Sequence, residues 1–371
     1  MPAHAVEPPA VRRGKPGRPP LCHAGMDSLS QFVLGAAVGV AVMGRRTAPW
    51  RAALWGGALG TLPDLDALVD HGDPVLDMVL HRGETHAPFW QTLAAAPLAA
   101  AIAWVDGRRA PPDTRWRSFG PWLLAVWLIL VTHALLDAMT VYGTRLALPF
   151  SDRPFGLGSI FIVDPLYTLP LIVGLVGVLA ARGALRWRWN LAGLALSTTY
   201  LAWGAAAQWH VEGVVRAQLA ARPDAAQVEA LLVTPTAFNT VLWRVLVMRP
   251  DGYEEGFRSL LDGDRPLRLV AFPRDRALYE ELRGLDAVAR IAAFSRGFFR
   301  VDDRDGTVRI TDLRMGQEPG YVFSFAVARR ASAPQPIVPP RSVGGRGDID
   351  MRAALRWLWL RAAGADIDPP R

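Results

Sequence analysis

Six long apolar stretches occupy the first 211 residues, and most of the charge lies in the short segments between them. Each stretch approaches the roughly 20 residues that an α-helix needs to cross a bilayer. The pattern therefore predicts a bundle of transmembrane helices. The predicted spans are residues 29–43, 50–68, 88–105, 119–140, 160–181 and 189–211.

Beyond residue 211 the pattern changes to short alternating segments separated by turns, which is typical of strands. The alternation predicts strands at 239–248, 252–260 and 321–328, a hairpin from 298–301 and 307–311, and a helix over 276–293. The expected fold class is therefore mainly α: a multi-span transmembrane helical bundle over residues 26–211, followed by a small soluble α+β domain over 212–330.

The two ends of the chain have a different character. Residues 1–25 are rich in Pro, Arg and Ala without an apolar run, so we expect a disordered extension, and Met26 would serve equally well as a start. Residues 331–371 begin with several prolines and end in an amphipathic segment, 351–363. They predict a linker and a C-terminal helix that lies on the membrane interface or packs against the domain core.

Composition agrees with a membrane protein. Hydrophobic residues make up 51% of the chain and charged residues 20%, with a mean hydropathy of +0.16, which excludes a disordered chain. The net charge is +7, and the arginines of the first 211 residues lie in short loops rather than along one helix, so we expect the lipid bilayer and no nucleic acid as a partner. The single cysteine, Cys22, excludes an intrachain disulfide and a cysteine-rich zinc site.

The arginines are unevenly distributed between the loops, and this predicts an orientation. The first, third and fifth loops between the predicted spans carry most of them, whereas the second and fourth carry only Arg82, Arg145 and Arg153. Positively charged loops tend to remain in the cytoplasm. The even loops and the C-terminal region are therefore expected on the extracytoplasmic side.

Six ionisable residues lie at span ends that the topology places on one face of the membrane. Such residues are costly near a bilayer and usually functional. Imidazole and carboxylate suit a divalent metal, with zinc preferred over manganese or iron, and the set is large enough for one or two ions. The predicted ligands are Asp64, Asp66, His81, His86, His133 and Asp137.

Two further residues are expected to assist. Arg82 lies between two of the histidines, and its guanidinium could bind a phosphate or carboxylate. Asp164 lies on the same face and could orient a ligand or bind the metal, but it could also simply cap the next helix.

Each pair of ligands also has a structural explanation. The Asp64-Leu65-Asp66 segment follows a proline and could form a turn or a helix cap, and His133 with Asp137 could be a buried hydrogen-bonded pair. The arrival of several such pairs at one face of an apolar bundle favours a metal site.

The order of these motifs resembles a known family. The sequences MDSL at 26–29, PDLD at 63–66, HRGETH at 81–86, HALLD at 133–137, YGT at 142–144 and DPLY at 164–167 carry the likeness. Together they resemble the bacterial membrane-bound metal-dependent hydrolases, also described as LexA-binding, inner-membrane-associated hydrolases. PTAFNT at 235–240 and TDLRMG at 311–316 resemble the longer members.

The resemblance implies a location in the bacterial inner membrane and hydrolysis of a phosphoester, because the family is similar to zinc-dependent phospholipase C and fungal zinc nucleases. The expected substrate is a lipid or a lipid-linked molecule. The alternatives are a metal or proton transporter, and a non-catalytic regulatory or binding protein whose metal is structural. Clustering of the ionisable residues at one end of the bundle favours the hydrolase. The sequence leaves the substrate, the metal and the oligomeric state open.

Overall fold

The computed structural model describes residues 24–108, 116–345 and 350–370. The expected disordered extension, except for its last two residues, lies outside these ranges. Arg109 and Arg115, which belong to the arginine-rich third loop of the predicted topology, also lie outside them.

Seven α-helices precede the first strand in the described residues. The helices are α1 (Ala24–Met43), α2 (Pro49–Thr61), α3 (Pro74–Leu80), α4 (Pro88–Gly107), α5 (Phe119–Met139), α6 (Pro165–Ala180) and α7 (Ala184–Ala220). Every predicted span overlaps with one of them. Short 3-10 turns at Pro63–Leu68 and Glu84–His86 connect the helices near the candidate ligands.

Only α4 and α5 are long and apolar enough to cross a membrane, among the helices in the described ranges. The expected second span is shorter than predicted because Pro63 begins a 3-10 turn, which leaves 13 residues in α2. At about 1.5 Å per residue this helix is roughly 20 Å long, less than the apolar thickness of a bilayer. The structure thus shows a mostly helical N-terminal part with two candidate spans, and six full crossings stay a prediction.

Glycines bring α1 and α2 into close contact. A Cβ atom on Gly35 would lie 2.3 Å from the carbonyl oxygen of Gly56, and one on Gly60 would lie 2.5 Å from the carbonyl oxygen of Gln31. Larger residues would push the helices apart. This packing fixes the end of α2, from which Asp64 extends.

The last predicted span belongs to a helix of 37 residues, α7, which runs past residue 211. Its C-terminal half packs against the first sheet, where Val211, Val215 and Leu219 join a core with Val233 and Val245. The composition changes at residue 211, but the helix does not end there.

The C-terminal region is rich in β-structure and contains two four-stranded antiparallel sheets. The first has the order β1-β2-β3-β4 and the second β10-β9-β6-β5. The strands are β1 (Ala230–Pro235), β2 (Leu242–Arg249), β3 (Gly252–Ser259), β4 (Leu269–Pro273), β5 (Phe299–Arg304), β6 (Thr307–Asp312), β7 (Gly316–Gln317), β8 (Gly320–Tyr321), β9 (Ser324–Arg329) and β10 (Gln335–Ser342). The predicted hairpin is confirmed as β5 and β6, which pair in register.

Two expectations about this region are wrong in detail. The helix expected over 276–293 is two helices, α8 (Arg276–Leu282) and α9 (Asp286–Phe294), and Gly284 lies in the break between them. The proline-rich segment expected as a linker contains β10, which pairs with β9 at the edge of its sheet. Proline is tolerated there because an edge strand has unpaired N–H positions.

The C-terminal helix, α10 (Met351–Ala362), begins as predicted after Asp350, whose carboxylate accepts hydrogen bonds from the backbone N–H groups of the first turn. Trp357 and Leu358 are buried against Leu242 and Phe257. The helix therefore packs on the first sheet, and its two tryptophans do not share an environment, because Trp359 is exposed.

The helical and β-rich parts share one hydrophobic core. Val75, Met78 and Val79 of α3 pack with Tyr142 against the side chains of α8, α9 and the second sheet. The Tyr142 hydroxyl donates to the carbonyl of Met78 (2.6 Å). The second sheet therefore supports the segments that carry the candidate ligands.

Candidate metal centre

Four of the six predicted ligands meet at one point because three chain segments end there. Asp64 lies in the 3-10 turn after α2, and His86 ends the turn before α4. His133 and Asp137 are four residues apart on α5, so one face of the helix presents both side chains. His86, His133 and Asp137 are buried, and Asp64 is partly exposed.

The ligand atoms of these four residues all lie within 4.8 Å of one another. His86 Nε2 is 3.0 Å from His133 Nε2 and 3.1 Å from Asp137 Oδ2. Asp64 Oδ1 lies 3.4 Å from His86 Nε2 and 3.5 Å from His133 Nε2. We refer to Asp64, His86, His133 and Asp137 as the four-residue centre.

The hydrogen bonds on the far side of each imidazole assign its proton. His133 Nδ1 lies 2.7 Å from the carbonyl oxygen of Gly60, which can only accept, so Nδ1 carries the proton. Thr85 donates its hydroxyl proton to Asp66 Oδ2 (2.7 Å) and therefore accepts from His86 Nδ1 (2.9 Å). Both Nε2 atoms then direct lone pairs into the centre, the orientation that metal-binding histidines adopt.

Several buried atoms of the centre need a positive charge between them. Two facing lone pairs 3.0 Å apart repel each other unless a cation or a proton lies between them. Asp64 Oδ2 and Asp137 Oδ2 are buried and accept no hydrogen bond from any described residue. Two neutral imidazoles with two carboxylates therefore fit a divalent metal ion.

The surroundings of His86 show the same demand for positive charge. Burial alone lowers the pKa of this histidine, but the nearby carboxylates of Asp137, Asp64 and Asp66 outweigh it and hold the pKa well above its usual value. The carboxylates thus stabilise a cation at the position where a bound metal would also lie.

The outer oxygen of Asp137 is held by two residues. Gln31 Nε2 donates to Asp137 Oδ1 (2.8 Å), and Arg82 Nη2 lies 3.3 Å from the same oxygen. Arg82 is buried, donates to Thr140 (3.0 Å) and lies over the ring of Tyr142. The structure thus places the guanidinium of Arg82 against a ligand rather than at the opening of the site.

Asp66 and His81 lie beside the four-residue centre and pair with each other. Asp66 Oδ1 is 2.7 Å from His81 Nδ1, and Asp66 Oδ2 accepts hydrogen bonds from the backbone N–H of Arg82 and from Thr85. The side chain of His81 is partly exposed, and its ring meets that of His86 edge-on. Asp66 therefore orients His81 and, through Thr85, His86.

Asp164 caps α6. Its carboxylate accepts from the backbone N–H of Leu166 (3.0 Å) and from the hydroxyl of Tyr200 (2.8 Å). Both contacts are those expected of a residue that caps a helix. Neither involves a ligand atom of the four-residue centre.

Sequence reasoning did not find Gln31, Thr85 or the carbonyl of Gly60. Gln31 carries a signal, because an amide side chain inside an apolar helix needs a hydrogen-bonding partner. Thr85 lies within the HRGETH motif, but its contact with Asp66 depends on how the turn folds.

Apolar side chains are exposed around the partly exposed edge of the centre. Leu62, Leu65 and Leu68 surround Asp64 and Asp66 on the 3-10 turn, and Phe89 and Trp90 follow His86 at the start of α4. An apolar surface beside polar ligands is unusual in water and typical of a membrane interface.

Comparison with known protein families identifies the family of this chain. A family model described as YdjM inner membrane protein matches residues 26–211, which is half of the chain and includes all six predicted ligands. No curated protein and no solved structure matches.

Proposed function

Because this chain belongs to the YdjM inner membrane protein family, the inner-membrane-associated hydrolase family that its motifs resemble, we propose that it is a metal-dependent hydrolase of the membrane. One observation carries the proposal: four ligand atoms converge within 4.8 Å at the ends of three segments, with the histidine lone pairs directed inward. A structural pair of His133 and Asp137 would need neither Asp64 nor His86.

The four-residue centre would hold one divalent ion, with zinc, manganese and iron as the candidates. When bound, such an ion polarises the bond to be cleaved and lowers the pKa of a water molecule. A second ion, held by Asp66 and His81, would require rearrangement, because both oxygens of Asp66 already accept hydrogen bonds.

The other residues of the site would act on the ligands. Gln31 and Arg82 fix Asp137, so its free oxygen faces the centre, and Gly60 fixes the ring of His133. His81, oriented by Asp66 and partly exposed, would hold or accept a proton at Nε2 during hydrolysis. Arg82 then contributes by positioning Asp137 instead of binding the substrate anion directly.

We propose a phosphoester of a lipid or lipid-linked molecule as the substrate. The exposed leucines on the turn that carries Asp64, with Phe89 and Trp90, support this proposal because they favour contact between the edge of the centre and lipid. In this interpretation Asp164 stabilises the start of α6 and does not bind the substrate.

Activity on a phosphodiester in detergent–lipid mixed micelles tests the proposal. Purified protein is treated with a chelator and reloaded with zinc, manganese or iron, and we expect hydrolysis only in a reloaded sample because the ion activates the water. Equal rates in chelated and reloaded protein would contradict the hydrolase. Stoichiometric metal without hydrolysis of a panel of lipid phosphoesters would favour the non-catalytic alternative.

The proposed orientation gives a separate prediction. Reporter fusions placed after Arg109 and after Arg371 should report the cytoplasm and the exterior, respectively, because the loop that contains Arg109 is among the arginine-rich ones. Alkaline phosphatase, active only outside, and green fluorescent protein, fluorescent only inside, make the measurement. A cytoplasmic signal from the Arg371 fusion would place the C-terminal region inside the cell and overturn this orientation.

A further inference from the structure

The second sheet carries a polar cleft far from the metal ligands in sequence. The cleft has a cavity volume of about 60 Å³ and lies on the face of the sheet that does not contact the helices. Tyr321 and residues 343–345 close one side of it. The side chains that the sheet contributes are Arg300, Asp302, Arg304, Arg309, Thr311 and Ser324.

Strand alternation explains why these residues share one face. Phe299 and Val301 of β5 point into the hydrophobic core with α8 and α9, as do Val308 and Ile310 of β6. Successive side chains on a strand point to opposite faces, so the residues between them point into the cleft. The core on one side therefore determines the arginine-rich surface on the other.

Two guanidinium groups in the cleft have unused donors. Arg300 is 8% exposed, and its Nη1 donates to Glu318 and Tyr253, but its Nε has no hydrogen-bond partner among the described residues. The Nε of Arg309 is also buried without a partner in the described part of the chain. Buried donors are normally satisfied, so such a pair in one cleft points to a ligand that accepts hydrogen bonds.

The charges in the cleft are not balanced. Glu318 pairs with Arg300 (2.6 Å), and Asp302 Oδ2 pairs with Arg304 (2.9 Å). Arg309 forms no ion pair with any residue that the structure describes. One positive charge thus remains. The hydroxyls of Thr311 and Ser324 are 2.8 Å apart, so one donates to the other, and the accepting hydroxyl keeps its own proton available for a ligand.

We propose that this cleft binds a phosphate ester. The planar N–H groups of arginine match phosphate oxygens, and the spare hydroxyl proton adds a third donor. Asp302 Oδ1, buried without a partner among the described residues, would accept a hydrogen bond from a hydroxyl or ammonium group of the same ligand. The proposal rests on the sheet alone and is independent of the metal centre and of the proposed hydrolysis.

Calorimetric titration of the full chain in detergent with glycerol 3-phosphate tests this site, with a chelator present so that the metal centre contributes no phosphate binding. We expect saturable binding that is weakened about tenfold or more in Arg309→Gln, because a charge-assisted hydrogen bond is lost. Arg283→Gln removes the same charge from an exposed position at the end of α8 and should bind like wild type.

A second arm distinguishes a lipid headgroup from a soluble ester. If the natural ligand is a lipid, phosphatidylglycerol added to the micelles should bind and displace glycerol 3-phosphate, whereas phosphatidylcholine, which lacks a donor for Asp302, should not. Binding of glycerol 3-phosphate without displacement indicates a soluble ester. Equal affinities in wild type, Arg309→Gln and Arg304→Gln, or no binding of either probe, would overturn the proposal. Circular dichroism of each variant verifies folding.

Discussion

Replacing His133 by alanine should leave the purified protein without bound metal and without activity. The substitution removes an inward-facing lone pair from the four-residue centre and leaves a buried gap beside Asp137. The loss of affinity should exceed the roughly 10–100-fold that typically follows loss of a residue that only orients a ligand. Metal analysis after size-exclusion chromatography, with zinc supplied during growth, measures the effect.

A matched histidine is available as the control. His71 is exposed and pairs with Asp77 away from the centre, so His71→Ala should bind metal as wild type does. His86→Ala should behave like His133→Ala. Full metal content in both His86→Ala and His133→Ala would show that these histidines are structural, and hydrolysis by a metal-free variant would exclude the metal mechanism.

Arg82→Ala should lower the free energy of unfolding of metal-free protein by about 3–5 kcal/mol, the usual effect of removing one partner of a buried ion pair. Asp137 is fully buried, and Arg82 provides a positive charge 3.3 Å from its outer oxygen. A bound metal cation should offset part of this loss, so zinc should stabilise Arg82→Ala more than it stabilises wild type. Denaturant titration in mixed micelles, with and without zinc, measures both values.

The ion pair of Arg51 with Asp106 supplies the control for Arg82. Arg51 is partly exposed, with 42% of its side chain accessible, and lies 3.5 Å from the carboxylate of Asp106, so Arg51→Ala should cost only about 0–1 kcal/mol. A similar small loss in Arg82→Ala would mean that Asp137 does not depend on the guanidinium. Loss of metal in Arg82→Ala, with the fold intact, would instead extend the role of Arg82 to ligand geometry.

The predicted topology was the reason to expect that the ionisable residues approach one another. It puts the ends of the second and fourth predicted spans and the loop before the third on one face, and the structure brings Asp64, His86, His133 and Asp137 together. The separation of Asp66 and His81 from this group could not be predicted. It depends on the turn at residues 84–86, where Thr85 reaches Asp66.

The limits of the fold prediction have similar causes. Apolar runs located the helices, but the end of α2 is set by Pro63, and a run of hydrophobic residues does not reveal where its hydrogen-bonded helix ends. β10 was missed because prolines argue against a strand, while its position at a sheet edge is a property of the tertiary structure. Gly284 divides the predicted helix over 276–293 because glycine has a low helix propensity, and this signal is present in the sequence.

Tyr142 links two parts of the chain that the family model separates. Its ring touches His81 and lies under Arg82 on one side, and on the other it packs against Phe294 of α9 and Phe323 near the second sheet. A chimera could combine the helical part of this chain with the C-terminal region of another family member. It would preserve all the proposed metal ligands but change the side chains that pack against Tyr142 beside them. When segments are exchanged between relatives, Tyr142, Phe294 and Phe323 should therefore be transferred together.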